Sequence, residues 1–295
     1  MGDINLFQVE GDEVRGISPR TVELEKKVQN LIERNLESLL GITFLSSEYS
    51  TGERHGGRID TLGIDENNAP VILEYKKQKN ENVINQGLYY LDWMLDHRAE
   101  FEQLVLKQST NERDIEWGSP RLICIAPDFT KYDSHAVEQI GQNIELMRFR
   151  QYEGDILLLE LVNVVESVDL GGDTSREYSG VSHYHQQASE TLLELYEELE
   201  DFIFSLGDDV QKKELKYYYA YKRIQNFVCL EFKPSDDRLL LHLTLDPKSF
   251  DSLPDIARDV SDVGHYGTGD LQLNIRSEED LQIAKPLIEE SYESG

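Results

Sequence analysis

The sequence predicts an α/β protein built on a mixed sheet, followed by a second, smaller α+β domain. Three observations carry this. An amphipathic helix precedes three strand-like runs; helix and strand then alternate; and a polar, Gly- and Ser-rich stretch without periodicity interrupts the pattern at 166–190. The expected boundaries are 1–165 for the first domain, 166–190 for a linker and 191–295 for the second.

The elements follow in order. "SPRTVELEKKVQNLIERNLESLLG" opens on Ser18-Pro19, a cap and first-turn proline, and closes on Gly41. Val28, Ile32, Leu36 and Leu39 recur at helical spacing within it. The runs "ITFLSSEY", "RIDTLGI" and "VILEYKK" read as strands separated by "STGERHGG" and "DENNAP". "NENVINQGLYYLDWMLDHRAEFEQLVLK" reads as one long helix, "RLICIAP" as a strand, "SHAVEQIGQNIELMRF" as a helix and "DILLLELVNVV" as a strand. The order is αβββαβ with a further helix and strand. An antiparallel hairpin joined to helix-connected strands makes the sheet mixed. Beyond the linker, a helix is expected from Thr191 and another in "SEEDLQIAKPLIEESYES".

Composition narrows the function classes. The 295 residues carry 57 Asp and Glu against 29 Lys and Arg, a net charge of −28, which argues against coating nucleic acid by bulk attraction. A single-site enzyme needs only a local basic surface, and Arg54, Arg58, Lys76, Lys77 and Lys79 form one. The longest apolar run, "ILLLELVNVV", contains Glu160 and is too short to span a bilayer. "MGDINLFQVEGDEV" lacks a basic segment followed by an apolar one, so no secretory signal is expected. With only Cys124 and Cys229, far apart, a reducing cytoplasm is the expected compartment.

The chemistry concentrates in "GGRIDTLGIDENNAPVILEYKKQK". Glu74 and Lys76 lie two apart and share a strand face, and the "DENNAP" hairpin can bring Asp60 beside Glu74. Two adjacent carboxylates repel unless a cation lies between them, and hard oxygen ligands with open water positions suit Mg²⁺ or Mn²⁺. A neighbouring lysine can stabilise developing negative charge or orient a metal-bound water. The bland alternative is a cross-strand salt bridge on a solvated face. It fits less well, because Glu74 follows "VIL", as in a central strand where unpaired charge is costly.

Asp60, a hairpin and Glu74-Tyr75-Lys76, within the helix–three strands–helix–strand order, resemble the PD-(D/E)XK nuclease superfamily, the restriction-endonuclease-like enzymes. The resemblance covers about residues 15–165. Ile59 stands where the family often has Pro, at a variable position. It implies Asp60, Glu74 and the carbonyl of Tyr75 as metal ligands, and Lys76 acting on water or the scissile phosphate. "QGLYY" adds Gln86 and Tyr90, four apart on one helix face, matching a Q-x-x-x-Y pair that lines the site in some branches; Trp93 and His97 continue that face. Many members add a glutamate from the first helix. Glu25, which shares a face with Val28 and Ile32, is preferred over Glu33 and Glu23.

Other constellations are weaker. "SHYH" places His183 and His185 in the linker, where two histidines are more often solvated than metal-bound. "GHYGTGD" matches no nucleotide loop and reads as a turn. "KKELKYYYAYKRIQNF" could stack bases on tyrosine, but packing of those tyrosines into the small domain is favoured. The C-terminal stretch also resembles a domain of unknown function appended to nuclease-like modules and sometimes labelled a predicted transport protein. No membrane segment supports that label, and a role in recognising substrate or a protein partner is expected instead.

The leading reading is therefore a Mg²⁺-dependent nuclease acting on DNA, in repair or defence. Two sites are needed to cut both strands, which a homodimer would supply. A nuclease-fold binding or interaction module without catalysis stays open beside it, as does an enzyme whose partner supplies affinity for DNA.

Overall fold

The computed structural model describes residues 4–20, 25–76, 83–108, 114–165 and 181–294, which divide into two compact units, Met1–Leu170 and Gly171–Gly295. Unit one begins with a hairpin of β1 (Leu6–Glu10) and β2 (Glu13–Ile17), and β3 (Pro19–Arg20) then pairs with Tyr152 and Gln151. Ser18-Pro19 is thus an edge-strand entry rather than a helix cap. Proline suits this place because it has no N–H to donate to a ladder.

Helices α1 (Glu25–Arg34) and α2 (Leu36–Leu40) follow, broken at Asn35. Gly41 ends α2 in the left-handed conformation, at φ 65°. Strand β4 (Ile42–Ser50), the single-turn α3 (Gly52–His55), β5 (Arg58–Asp65) and β6 (Pro70–Tyr75) form an antiparallel set. Helices α4 (Val83–Asp96) and α5 (Arg98–Gln108) lead to β7 (Arg121–Ala126), which lies parallel to β6. The expected single long helix breaks at His97, whose Nδ1 lies 2.7 Å from the carbonyl oxygen of Trp93.

After α6 (Lys131–Glu138) comes β8 (Asn143–Tyr152), parallel to β7, and then β9 (Ile156–Val165), antiparallel to β8. The helix expected over 134–149 is therefore corrected. Thr130 and Asp133 close a capping box at its start, Gly141 at φ 66° interrupts the chain beyond its end, and "IELMRF" pairs as strand. The described sheet runs β4-β5-β6-β7-β8, with β3 and β9 both paired to β8, a mixed α/β architecture as expected.

Strand alternation assigns the two faces. Leu62, Ile64, Ile72, Leu122, Cys124 and Leu146 share a core with Tyr90, Trp93 and Met94 of α4. At one end of the strands, Arg121 ties three of them together. Its guanidinium donates to both oxygens of Glu145 on β8 (2.7 and 3.0 Å) and to Asp65 at the end of β5 (2.8 Å), with all three residues buried. The other oxygen of Asp65 accepts from the N–H groups of Asn67 and Ala69 (2.9 and 2.8 Å), fixing the β5–β6 turn. Glu160, which interrupts the apolar run of β9, accepts from buried Arg148 at 2.6 Å, and Arg148 also holds Asp128.

Unit two opens with α7 (Val181–Gln186), so residues 181–186 of the expected linker are helical, and Val181 is fully buried in this unit's core. Then come α8 (Glu190–Ser205), β10 (Gln211–Glu214), β11 (Tyr219–Lys222), β12 (Asn226–Lys233), β13 (Arg238–Leu243), β14 (Ala257–Asp259), β15 (Leu271–Ile275) and α9 (Glu278–Ser294). The strands form an antiparallel sheet in the order β10-β11-β12-β13-β15-β14, with the helices packed on one face. Tyr218, Tyr219 and Tyr221 are buried, and His185 stacks on Phe232 with ring centroids 5.0 Å apart.

Replacing Arg121 by Ala strands two buried carboxylates, a change that costs about 3–5 kcal/mol. Chemical denaturation should show that loss as a lower midpoint with an unchanged slope. A midpoint within error of the parent would mean that the cluster does not hold the sheet.

Candidate metal centre

At the end of the sheet opposite Arg121, strands β5 and β6 come apart. Their backbone ladder runs from Ile64↔Pro70 to Thr61↔Leu73, and beyond it the side chains take over. The N–H of Asp60 donates to Glu74 Oε1 at 3.1 Å, and the N–H of Tyr75 donates to Asp60 Oδ2 at 3.0 Å. Each carboxylate occupies the place of a backbone carbonyl. Asp60 and Glu74 thus face each other across a strand fork, on the α4 side of the sheet.

Glu74 is fully buried, and its second oxygen, Oε2, has no hydrogen-bond partner among the described residues. Burial pushes its carboxyl up to about 9, the negative charge of Asp60 adds to the rise, and the Asp60 N–H and Lys76 oppose it. Lys76 follows directly after β6, anchored by its N–H to the carbonyl of Ile125 at 2.9 Å, and acts electrostatically on Glu74. The structure therefore brings Asp60, Glu74 and Lys76 together. Lys77 and Lys79 lie outside the described residues, as does the side chain of Arg54.

Gln86 and Tyr90 also meet. Gln86 Nε2 donates to the Tyr90 hydroxyl at 3.3 Å, and that hydroxyl accepts from the N–H of Arg58 at 3.1 Å, two residues before Asp60. A Cβ on Gly57 would lie 2.6 Å from the Tyr90 ring, so the glycine of "GGRID" admits the tyrosine. The pair thus joins α4 to the start of β5. Trp93 and His97 stack at 4.8 Å, and His97 meets His55 edge-on at 5.7 Å.

From the first helix, the side chain of Glu25 lies outside the described residues. Glu33 is the described helix carboxylate that reaches β5, accepting from the Thr61 hydroxyl at 2.7 Å and from Gln29 Nε2 at 2.9 Å. Sequence reasoning missed Gln29. It is buried and donates to the backbone carbonyl of Asp60 at 2.8 Å, and Lys26 donates to its Oε1 at 3.0 Å. Its spacing held a signal: Gln29 lies three residues before Ile32 and four before Glu33, on the face that meets the sheet.

Glu48 lies between the pairs Ser47↔Thr61 and Tyr49↔Ile59, opposite Asp60, and adopts φ 53°, a strained backbone for a non-glycine residue. Its carboxylate meets Lys26 at 2.6 Å and Arg58 at 3.7 Å, and the Lys26 hydrogen bond leads in holding it below the usual range.

The donor set fits a hard divalent cation. Two carboxylates converge, and one of them offers a buried oxygen without a partner. No group of three or more His, Cys, Asp or Glu side chains is placed to hold a metal among the described residues.

Comparison with known proteins gives three kinds of likeness. Residues 181–295 match a family model described as a domain of unknown function, DUF5655. Over 98% of its length the chain is 28% identical to an uncharacterized protein of Haemophilus influenzae, covering 99% of that protein. Among solved structures it is similar to a repair endonuclease from Pyrococcus abyssi (22% identity, TM-score 0.31, 44% of this chain and 50% of that one). It is also similar to the EndoMS-dsDNA2 complex (17%, TM-score 0.26, 49% and 64%). Both overlaps span less than two thirds of the neighbouring chains.

The environment of Glu74 sets a pH dependence for the metal-free protein. Its folded value, about 9, lies above the ordinary 4.5, so between these values the folded state holds a proton that the unfolded state releases. Stability conferred by that proton is present at low pH and is lost as pH rises through the window. In chelator at about pH 8, Glu74→Gln should unfold at least about 2–4 °C above the parent, the shift that 1 kcal/mol gives in a domain of this size, and the gap should close towards about pH 5. Thermal scans at both values check it; a gap that does not change with pH would refute the assignment.

Proposed function

We propose that the first unit is a Mg²⁺- or Mn²⁺-dependent nuclease that hydrolyses phosphodiester bonds in DNA, as an endonuclease of repair or defence. The observation that carries this reading is the strand fork, where Asp60 and Glu74 converge beside Lys76 and Glu74 Oε2 stands without a partner. Asp60, Glu74 and the Tyr75 carbonyl would hold the cation, which when bound polarises phosphate oxygens and makes a coordinated water more acidic. Lys76 supplies a positive charge next to Glu74, where it can orient the attacking water or offset negative charge developing on the phosphate. Gln86 and Tyr90 are positioning residues, since they hold the Arg58 N–H and thereby the strand that carries Asp60. Glu33 and Gln29 support Asp60 from the other side of β5; Glu25 stays a candidate for the helix carboxylate. A homodimer would give the two sites that a double-strand cut needs.

Both cysteines are free and buried, in keeping with a reducing cytoplasm. No described helix is long and apolar enough to cross a membrane. The second reading, a nuclease-fold module without catalysis, draws on the net charge of −28, which leaves little electrostatic attraction for DNA outside a local patch.

Purified protein, incubated with Mg²⁺ or Mn²⁺ and supercoiled, linear, single-stranded and branched DNA or RNA, should cleave at least one substrate. Asp60→Ala and Glu74→Ala should each lower the rate at least about a hundredfold. Activity retained in both folded variants rules out this centre. If nothing is cleaved and calorimetry finds no Mn²⁺ signal that Glu74→Ala removes, the non-catalytic reading holds.

A further inference from the structure

The sheet of the second unit has one face packed against helices and one face that carries charge. Leu230, Phe232, Leu239, Leu241, Leu273 and Ile275 point into the core beneath α8 and α9. By alternation the intervening residues face the other way. Among them stand five cations, Lys213, Lys222, Lys233, Arg238 and Arg258, and one carboxylate, Glu231. The opposite side is acidic: α8 carries six carboxylates and no Lys or Arg, and α9 carries six against one lysine. The unit is thus electrically polarised, with negative helices and a positive sheet face, in a chain whose net charge is −28.

The loop after β14 roofs part of that face. His265 stacks on fully buried His242 at 4.1 Å, Gly267 lies so close to Cys229 that a Cβ would meet it at 2.6 Å, and the Thr268 N–H donates to Cys229 Sγ. Beyond this roof runs a polar stripe. Lys233 and Arg238 face each other in register, Arg238 donates to Asn274, and Gln272 stands two residues before Asn274 and opposite Arg258. Arg238 Nε is a buried donor without a partner among the described residues, and Arg258 is exposed. Glu231 and Asp236 offset part of the charge of Lys233 and Arg238. At the border of the roof Tyr266 stacks on Tyr217, with centroids 4.2 Å apart, and remains 49% exposed.

We propose that this face binds a single-stranded polynucleotide, with phosphates on Arg258, Lys233 and Arg238 and a base stacked on Tyr266. Cations along the strands suit a polyanion, and an aromatic stack with a free ring at the edge of a sheet suits an unpaired base. A duplex would use the charge but offer Tyr266 no unpaired base. The proposal does not depend on Asp60 and Glu74 forming a nuclease centre.

The test uses the full chain bearing Glu74→Ala, in chelator, so that cleavage plays no part. Fluorescence anisotropy follows dye-labelled oligo-dT and oligo-U over a range of salt. The expected result is salt-dependent binding of one or both, the preferred sugar identifying the ligand. Arg258→Glu should weaken binding several-fold and flatten the log–log salt slope by about 0.7, the value for one contact to a single strand. Tyr266→Ala should weaken it about fivefold or more with the slope unchanged. Both residues are exposed, so both variants should keep the parent unfolding temperature. Absence of binding at low salt, or binding that neither variant alters, overturns the proposal. Displacement of the oligonucleotide by poly-glutamate at the same concentration also overturns it and assigns the face to an acidic protein.

Discussion

The buried cluster of Arg121 with Asp65 and Glu145 is the constraint on which the first unit's geometry rests. Three charges out of water are tolerable only when mutually paired, so strands β5, β7 and β8 can align only where these side chains meet. Registry follows from that. A slip of one residue in β5 would turn Asp60 and its neighbours to the wrong face and break the cluster at the same time. The cluster closes one end of the sheet and thereby fixes, at the other end, which residues confront each other where β5 and β6 separate.

At that fork the physics reverses. At the other end one guanidinium is shared between two buried carboxylates, Asp65 and Glu145, whereas here Asp60 and Glu74 face each other and Lys76 favours the charged form of Glu74. The backbone N–H groups of Asp60 and Tyr75 hold the carboxylates in position, and without a cation, burial and the charge of Asp60 keep Glu74 protonated up to about pH 9. A pair so arranged is costly by itself and gains from a cation, and stored cost of this kind is common where binding or chemistry takes place. The left-handed Glu48, beside Asp60 on the neighbouring strand, adds a second local strain at the same place.

Much of this was legible in the sequence. The periodicity of α1, the hairpin bounded by "DENNAP" and the pairing of Asp60 with Glu74 follow from local pattern, and the Gln86–Tyr90 contact follows from helical spacing. The strand β8 was not legible, because "IELMRF" is a short apolar run that suits either state, and only pairing with β7 decides it. Ser18-Pro19 looked like a helix cap because the same residues also suit a strand edge. Gln29 escaped notice, and Glu33 ranked behind Glu25, because polar residues on an amphipathic helix read as solvated until the strand they face is known.

The sequence by itself determined the α/β class and the αβββαβ order of elements around Asp60 and Glu74. It also determined the chemical identity of the carboxylate and lysine group, since periodicity and spacing are local properties of the chain. Tertiary structure decided where charge resides. Net charge counts every side chain equally, and in the second unit strand alternation sends Lys213, Lys222, Lys233, Arg238 and Arg258 to one face while the helices carry most of the acids on the other. Tertiary structure likewise decided that Glu160 and Asp65 are held by arginines remote in sequence. Burial and long-range pairing, which set the energy of a charge, exist only once the chain has folded.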